Sequence, residues 1–156
     1  MIEIKFSKTK LEKIQKAASD ARAKLQNASG AYKRIAVYLD SWVQQNFRGQ
    51  GSKVGNWAPL KKSGRPLPNG GFDQTAMILQ DTGMLRASVQ PFATNRNAGI
   101  GSELDYSKKH DEGLGNVPQR RILPRETDDD VNKVAADILD KFAKESVVDR
   151  FMEAFK

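Results

Sequence analysis

The stretch that decides the fold is residues 31–47, AYKRIAVYLDSWVQQNF. Its apolar residues recur every three or four positions, which places them along one face of an α-helix. This face consists of Tyr32, Ile35, Ala36, Leu39, Val43 and Phe47, and it is widened by Tyr38 and Trp42. Burying large side chains contributes about 1.5–3 kcal/mol each before conformational entropy is subtracted, so we expect this helix to organise the core.

The segment before this helix predicts a short strand and then a second amphipathic helix. Ile2, Ile4 and Phe6 alternate with charged residues, a pattern typical of a strand with one apolar face. The apolar face of the predicted helix comprises Leu11, Ile14, Ala18, Ala21 and Leu25, opposite a row of lysines. Because this face is rich in alanine, we expect it to pack closely against another helix.

Residues 48–73 are predicted to form a long loop. The segment is rich in glycine, proline and basic residues, and no helical or strand periodicity continues through it. Its one apolar anchor is Trp57-Ala-Pro-Leu60. A loop of this length is unusual in a small domain, which indicates that it is functional or becomes ordered when a partner binds.

The remainder of the chain predicts a small antiparallel sheet and further helices. A short helix or turn is expected over residues 74–85, a strand over 85–91, a turn over 92–97 and a returning strand from Ala98. Residues 106–112 suit one helical turn, and residues 119–123 suit another short strand. Thr127 and the three aspartates after it predict a helix start, followed by a separate apolar tail helix around residues 147–155.

These elements predict an α+β fold with long N-terminal helices, a small antiparallel β-sheet and a C-terminal helix. The length of 156 residues is sufficient for one core, so we expect a single domain over residues 1–156. The absence of cysteine excludes disulfides and thiolate metal sites. No apolar run approaches the ~18 residues of a membrane span, and the N-terminus has no signal-peptide pattern. We therefore expect no membrane attachment and assembly in a cytoplasm.

The charge distribution is uneven along the chain. The net charge is +7 overall, with +6 in residues 1–34, +5 in residues 35–125 and −4 in residues 126–156, counted from the sequence. A basic region suits contact with nucleic acid. The same asymmetry suits head-to-tail contacts between identical subunits that close into a ring. Solvated helix faces of different sign are a third interpretation.

The sequence contains no combination of residues that predicts catalysis. His110 is the one histidine, and no serine lies in a nucleophile-elbow pattern. Asp111 and Glu112 follow it directly, so the three side chains project in different directions. Asp128 to Asp130 lack the spacing of a calcium loop and suit helix capping. We therefore expect no enzymatic activity, no catalytic or metal-binding residues and no cofactor.

The predicted loop carries a basic cluster that could contact a partner or DNA. Its members are Lys53, Lys61, Lys62 and Arg65. Phosphate contacts would explain them, although neither a helix-turn-helix nor an RNA-binding aromatic motif accompanies them. A basic, DNA-binding accessory protein is therefore the alternative function that the composition supports.

Short motifs follow one another in order between Asn46 and the helix after Thr127. They are Asn46-Phe47, Gly55-Asn-Trp57-Ala-Pro59-Leu60, Ile78-Leu79-Gln-Asp-Thr82-Gly83-Met-Leu85-Arg-Ala-Ser88, Gly101-Ser102-Glu-Leu-Asp-Tyr106, His110-Asp-Glu-Gly113 and Pro118-Gln-Arg120-Arg121-Ile122-Leu123. In order and spacing they resemble the phage virion morphogenesis, or tail-completion, family typified by a protein of phage Mu. Ser107 departs from this pattern, in which we expect alanine, and the loop is richer in glycine than we expect.

The resemblance implies a structural subunit of a tailed bacteriophage that completes the tail or joins it to the head. It implies a homo-oligomeric ring, with a hexamer expected, located in the tail or neck of the virion. Neighbouring neck, connector or tail-tube proteins would be its partners, with non-specific DNA contact as a further expectation.

The motif residues are expected to hold a scaffold rather than to perform chemistry. This set comprises Trp57, Pro59, Leu60, Thr82, Gly83, Leu85, Tyr106, Gly113, Pro118, Arg120 and Leu123. Gly83 is free to take a positive φ in a tight turn into a strand. Tyr106 is expected to bury its ring, and Pro118 and Arg120 to set and tether an edge strand.

Overall fold

The computed structural model describes residues 8–60, 65–73 and 75–154. Its helices are α1 (Lys8–Gln26), α2 (Ser29–Arg48), α3 (Met84–Ser88), α4 (Asp105–Glu112) and α5 (Asp129–Ala154). Its strands are β1 (Arg65–Pro66), β2 (Phe72–Asp73), β3 (Val89–Ala93) and β4 (Ala98–Ser102), and a 3-10 turn spans Ser52–Val54. This arrangement confirms the predicted α+β class. The strand predicted over residues 2–6 lies outside the described residues.

Helix α2 is the centre of the core, as its sequence predicts. Ile35, Leu39, Trp42, Val43 and Phe47 are all buried along one face. They pack with residues from the loop, α3, β3, the segment 119–123 and α5, namely Trp57, Leu85, Val89, Ile122 and Val131. One long amphipathic helix therefore gathers apolar side chains from most of the chain that follows it.

Helix α5 runs antiparallel to α2. The Trp42 indole donates a hydrogen bond to Asp130 Oδ2 at 3.1 Å near the start of α5. Arg34, two turns earlier in α2, lies 4.0 Å from the Glu145 carboxylate further along α5. The prediction of a separate tail helix is wrong, because α5 is continuous over Asp129–Ala154. The sequence between those residues contains neither glycine nor proline to interrupt it.

Helices α1 and α5 pack against each other and form an arm, a name we use for this helix pair. Ala17 and Ala21 are the buried residues of α1, whereas Leu11, Ala18 and Leu25 are exposed. The predicted apolar face is therefore partly wrong. Small side chains let the two helix backbones approach closely. The alanines Ala17 and Ala21 therefore lie in the contact, and the leucines lie outside it. Among the described residues, no helix is long and apolar enough to cross a membrane.

The predicted hairpin forms from β3 and β4, which pair antiparallel with Val89 opposite Ser102 and Ala93 opposite Ala98. The predicted strand start at Leu85 is wrong, because residues 84–88 form α3. Gly83 has a φ of 74°, as expected, but it leads into this helix rather than into a strand. The Ala87 amide donates to the Gly83 carbonyl at 2.9 Å, which closes the helical turn.

The long loop is anchored as predicted, but it is not structureless. The Trp57 ring is buried and meets Phe47 edge-to-face, with ring centroids 5.2 Å apart. Strands β1 and β2 pair within the loop, with Arg65 opposite Asp73. The strand predicted over residues 119–123 is absent from both described sheets. Side chains from other parts of the chain form hydrogen bonds with the backbone of that segment instead.

Candidate functional site

Residues 120–123 are held by side chains from other parts of the chain. The Arg121 carbonyl accepts hydrogen bonds from Asn46 Nδ2 at 3.0 Å and from Trp57 Nε1 at 2.8 Å. Asp111 Oδ1 accepts from the amides of Ile122 at 2.6 Å and Leu123 at 2.9 Å. Buried peptide groups need partners, and these side chains take the place of a neighbouring strand. This is why the sequence resembles a strand at a position where no sheet forms.

Asn46 is the fully buried polar residue at the centre of this network. Its Oδ1 accepts from the Lys53 amide at 3.3 Å, while its Nδ2 binds the segment around Arg121. It therefore joins the end of α2 to both the loop and residues 120–123. Sequence reasoning named Asn46 as part of a motif but assigned it no role, and it assigned none to Asp111. The sequence does contain one indication of this role: Asn46 precedes Phe47, so its polar side chain lies next to the apolar face of the core helix.

Arg120 ties the loop to the body of the protein. The residue is only 8% exposed. Its Nε donates to the Ala58 carbonyl at 2.8 Å and its Nη2 to the Pro59 carbonyl at 3.1 Å. It thus tethers the Trp57–Leu60 anchor instead of the predicted edge strand. In the described structure Arg120 has no carboxylate partner, whereas adjacent Arg121 forms an ion pair with Asp128 at 2.9 Å.

Six predicted scaffold residues line one cavity of about 280 Å³, although they are spread over sixty positions of sequence. They are Leu60, Thr82, Gly83, Leu85, Tyr106 and Arg120, and they are joined by Arg65, Leu79, Asp81 and His110. Tyr106 is 40% exposed, so the expectation that its ring is buried is wrong. We call this space the Arg120 cavity.

The other scaffold residues lie elsewhere. Trp57 is in the core, Leu123 packs against that core, and the Pro59 carbonyl accepts from Arg120. Gly113 ends α4 with a φ of 71°, and Pro118 is exposed. The motif residues therefore divide between the core, a helix end and the Arg120 cavity.

His110 stands in the wall of the Arg120 cavity beside Tyr106, with ring centroids 6.3 Å apart. Burial lowers the pKa of His110 below its usual 6.5, and the positive charge of Arg120 lowers that pKa further. His110 Nδ1 is buried and has no hydrogen-bond partner in the described part of the chain. Within those same residues, no group of three or more His, Asp or Glu side chains is placed to hold a metal ion.

The basic loop residues are not gathered into an open patch in the part of the chain that the structure covers. Lys53 lies 3.8 Å from Asp130, and Arg65 lies 3.1 Å from Asp81. Lys61 and Lys62 lie outside the described residues. Of the predicted contact residues, the two that can be placed are each paired with a carboxylate.

The arm presents the exposed apolar side chains of the long helices. Val148 and Met152 of α5 are 53% and 60% exposed, and Leu11 and Leu25 of α1 are similarly accessible. Exposed lysines lie on α1, whereas α5 carries exposed aspartates together with the exposed lysines Lys133, Lys141 and Lys144.

Comparison with known families identifies the chain's relatives at the level of the family. A family model described as the phage virion morphogenesis family matches residues 9–142, which is most of the chain and extends from α1 into α5. Comparison with curated proteins and with solved structures gives no match. The chain therefore belongs to the phage virion morphogenesis family, and its role lies in the structure or assembly of a phage particle.

Proposed function

We propose that this protein completes the tail, or joins it to the head, of a tailed bacteriophage as one subunit of a homo-oligomeric ring. A hexamer is the expected ring, matched to tail symmetry. The observation that carries the proposal is the arm, in which α1 packs chiefly against α5 and leaves large apolar side chains exposed. Neighbouring neck, connector or tail-tube proteins would lie above and below the ring.

The apolar residues of the arm support a contact that is made in the assembled particle. Val148 and Met152 lie one turn apart on α5, so they share a face of the helix. Val148 is 53% and Met152 60% exposed. Contiguous apolar surface of this kind marks interaction sites on soluble proteins. A neighbouring subunit in the ring would cover this face.

The charges of the arm suit a head-to-tail contact. Lys13 and Lys16 are exposed on α1, and Asp137 and Asp140 are exposed on α5, where Asp140 also forms an exposed ion pair with Lys144 at 2.6 Å. A contact of unlike surfaces closes into a ring when its rotation allows. The basic edge of one arm meeting the acidic edge of the next would provide such a contact. DNA binding has less support, since Lys53 and Arg65 are already paired with carboxylates.

The proposal is tested by assembling the full chain with the products of neighbouring phage genes. Native mass spectrometry and negative-stain microscopy should show closed rings. Exchanging Val148 and Met152 for aspartate should abolish rings while leaving the circular dichroism spectrum unchanged. Val37→Asp provides the matched control, because Val37 is 69% exposed on α2 outside the arm. A protein that remains a monomer or dimer with every neighbour would refute the ring.

A further inference from the structure

The Arg120 cavity contains a buried cation that has no counter-charge among the described residues. Arg120 is nine-tenths buried, and its two assigned partners are main-chain carbonyls rather than carboxylates. The acidic residue in the same wall, Asp81, is paired with Arg65 at 3.1 Å. The sequence between Leu60 and Arg65 is Lys-Lys-Ser-Gly, which contains no acidic residue. Burying an unpaired charge is costly, so this arrangement favours an anion that arrives from outside.

A second polar group in the wall also lacks a partner. His110 Nδ1 has no hydrogen-bond partner among the residues that the structure describes. Arg120 Nη1 also has no acceptor in the described part of the chain, but it is reached by solvent rather than buried, while Nε and Nη2 hold the loop. A planar carboxylate matches the geometry of a guanidinium group and accepts charge-assisted hydrogen bonds from it.

The size and walls of the cavity limit what can enter it. Its volume of about 280 Å³ lies just below the roughly 300–1,000 Å³ of pockets that hold drug-sized ligands. It therefore has room for one or two side chains of a peptide. Leu60, Leu79 and Leu85 form an apolar part of the wall. These apolar walls suit a carboxylate next to an apolar side chain better than a hydrated phosphate backbone.

We propose that the Arg120 cavity binds a short acidic peptide segment of a neighbouring virion protein, with one carboxylate on Arg120 and an adjacent apolar side chain against the leucines. The identity of the source as a virion protein rests on the proposed function. The chemistry of the site rests on Arg120, His110 and the cavity walls alone.

The full-length protein offers a direct test, because its single histidine gives one unambiguous set of ring signals in NMR spectra. The probe is an acetylated and amidated tripeptide of leucine, glutamate and leucine, and the control replaces its glutamate with glutamine. At millimolar concentrations the glutamate peptide should shift the His110 signals saturably. The glutamine peptide should bind about tenfold more weakly, since it loses a charge-assisted hydrogen bond.

Inorganic phosphate and a short DNA duplex are the other two probes in the same experiment. Either of them shifting His110 at lower concentration than the glutamate peptide would overturn the proposal in favour of a phosphate site. Equal binding of the two peptides, or no saturable shift with either one, would also overturn it.

A variant that leaves Arg120 in place provides the second test, because replacing Arg120 would also release Ala58 and Pro59. Leu60→Glu introduces a carboxylate at the cavity wall and should abolish the shift caused by the glutamate peptide. Leu67→Glu, at an exposed position of the same loop, should leave the shift unchanged. Ring assembly is measured separately: rings without peptide binding would refute this inference alone, and peptide binding without rings would refute the proposed function alone.

Discussion

Asn46 joins parts of the molecule that are far apart in sequence, and its removal should be costly. Asn46→Ala leaves the Lys53 amide without its acceptor, removes the donor to the Arg121 carbonyl and opens a space at the end of α2. We expect a loss of about 2–3 kcal/mol in the free energy of unfolding, measured in urea. Trp57→Phe should cost only about 1 kcal/mol, because the Arg121 carbonyl keeps its bond from Asn46.

Gln45→Ala provides the matched control on the same helix. Gln45 is exposed, and its side chain reaches only Ser41. Its replacement should change the free energy of unfolding by less than about 0.5 kcal/mol. If Asn46→Ala destabilised the protein no more than this control does, the buried network would not be the link between α2, the loop and residues 120–123.

His110 should titrate below its ordinary value in the folded protein. Burial lowers its pKa below 6.5, and Arg120 lowers it further. Arg65, Asp81 and Tyr106 are the other ionisable groups that line the same cavity. Titration of the histidine ring signals by NMR measures this pKa directly. A folded pKa at or above 6.5 would contradict the described environment.

This lowered pKa has a defined effect on stability. The unfolded chain begins to bind a proton at His110 near pH 6.5, before the folded chain does. Stability is therefore complete above 6.5 and decreases as the pH falls through the folded pKa. His110→Gln removes this contribution, so its urea stability should decline less than that of the parent between about pH 8 and pH 5. Identical declines would show that His110 is not responsible.

The end of α4 depends on a glycine for two separate reasons. Gly113 has a φ of 71°, and a β-carbon at this position would lie 3.0 Å from the Gln119 Cα atom. Gly115 has a φ of 69°, but a β-carbon there would meet nothing within 4 Å. Gly115→Ala should therefore cost about 1–2 kcal/mol for backbone strain alone.

Gly113→Ala should cost roughly 1–3 kcal/mol more than this control, because the backbone near Gln119 must also move. Thermal unfolding of both variants measures the difference. Equal losses for Gly113→Ala and Gly115→Ala would mean that the close approach of α4 to residue 119 contributes nothing to stability.

The elements predicted well from sequence are those in which the spacing of apolar residues shows which side chains are buried. Helix α2 is of this kind, because it buries the face that its residue spacing reveals. The β3–β4 hairpin is predicted instead from its turn residues, since its strands do not alternate between buried and exposed positions. Residues 85–88 and 119–123 resemble strands in sequence, but a helical turn at Gly83 and the side chains of Asn46, Trp57 and Asp111 satisfy their backbone instead. These partners come from distant positions, so local patterns do not contain them.

The Arg120 cavity was predictable only as a set of motif residues. Leu60, Thr82, Tyr106 and Arg120 were named from the sequence, but nothing in their spacing places them around one space. The missing information is the path of the loop, which Arg120 fixes through the Ala58 and Pro59 carbonyls. That Arg120 is a buried cation with no carboxylate partner among the described residues can be recognised only from its three-dimensional surroundings.

The whole molecule combines a packed body around α2 with an arm that carries exposed apolar and charged groups. The sequence predicts that its oppositely charged faces meet between neighbouring subunits. The structure packs α1 against α5 within one chain, so the helix faces in that contact are not available to a neighbour. The charges that remain on the outer surface of the arm determine whether neighbours also meet through it.

Charge reversal tests the contact between arms. One variant carries glutamate at Lys13 and Lys16 of α1, and the other carries lysine at Asp137 and Asp140 of α5. All four positions are exposed, so each change should cost the fold less than about 1 kcal/mol. Each variant alone should fail to form rings in native mass spectrometry, because its two interacting edges then bear the same sign.

Mixing the two variants should restore assembly, since every contact again joins opposite charges when the subunits alternate. Alternation closes only when the ring has an even number of subunits, so a hexamer should reappear, whereas an odd-numbered ring could not. Raising the salt concentration should weaken the mixed ring, because exposed charges are screened over about 10 Å at 0.1 M. Rings from either variant alone, or no recovery in the mixture, would show that the arms do not meet through these charges.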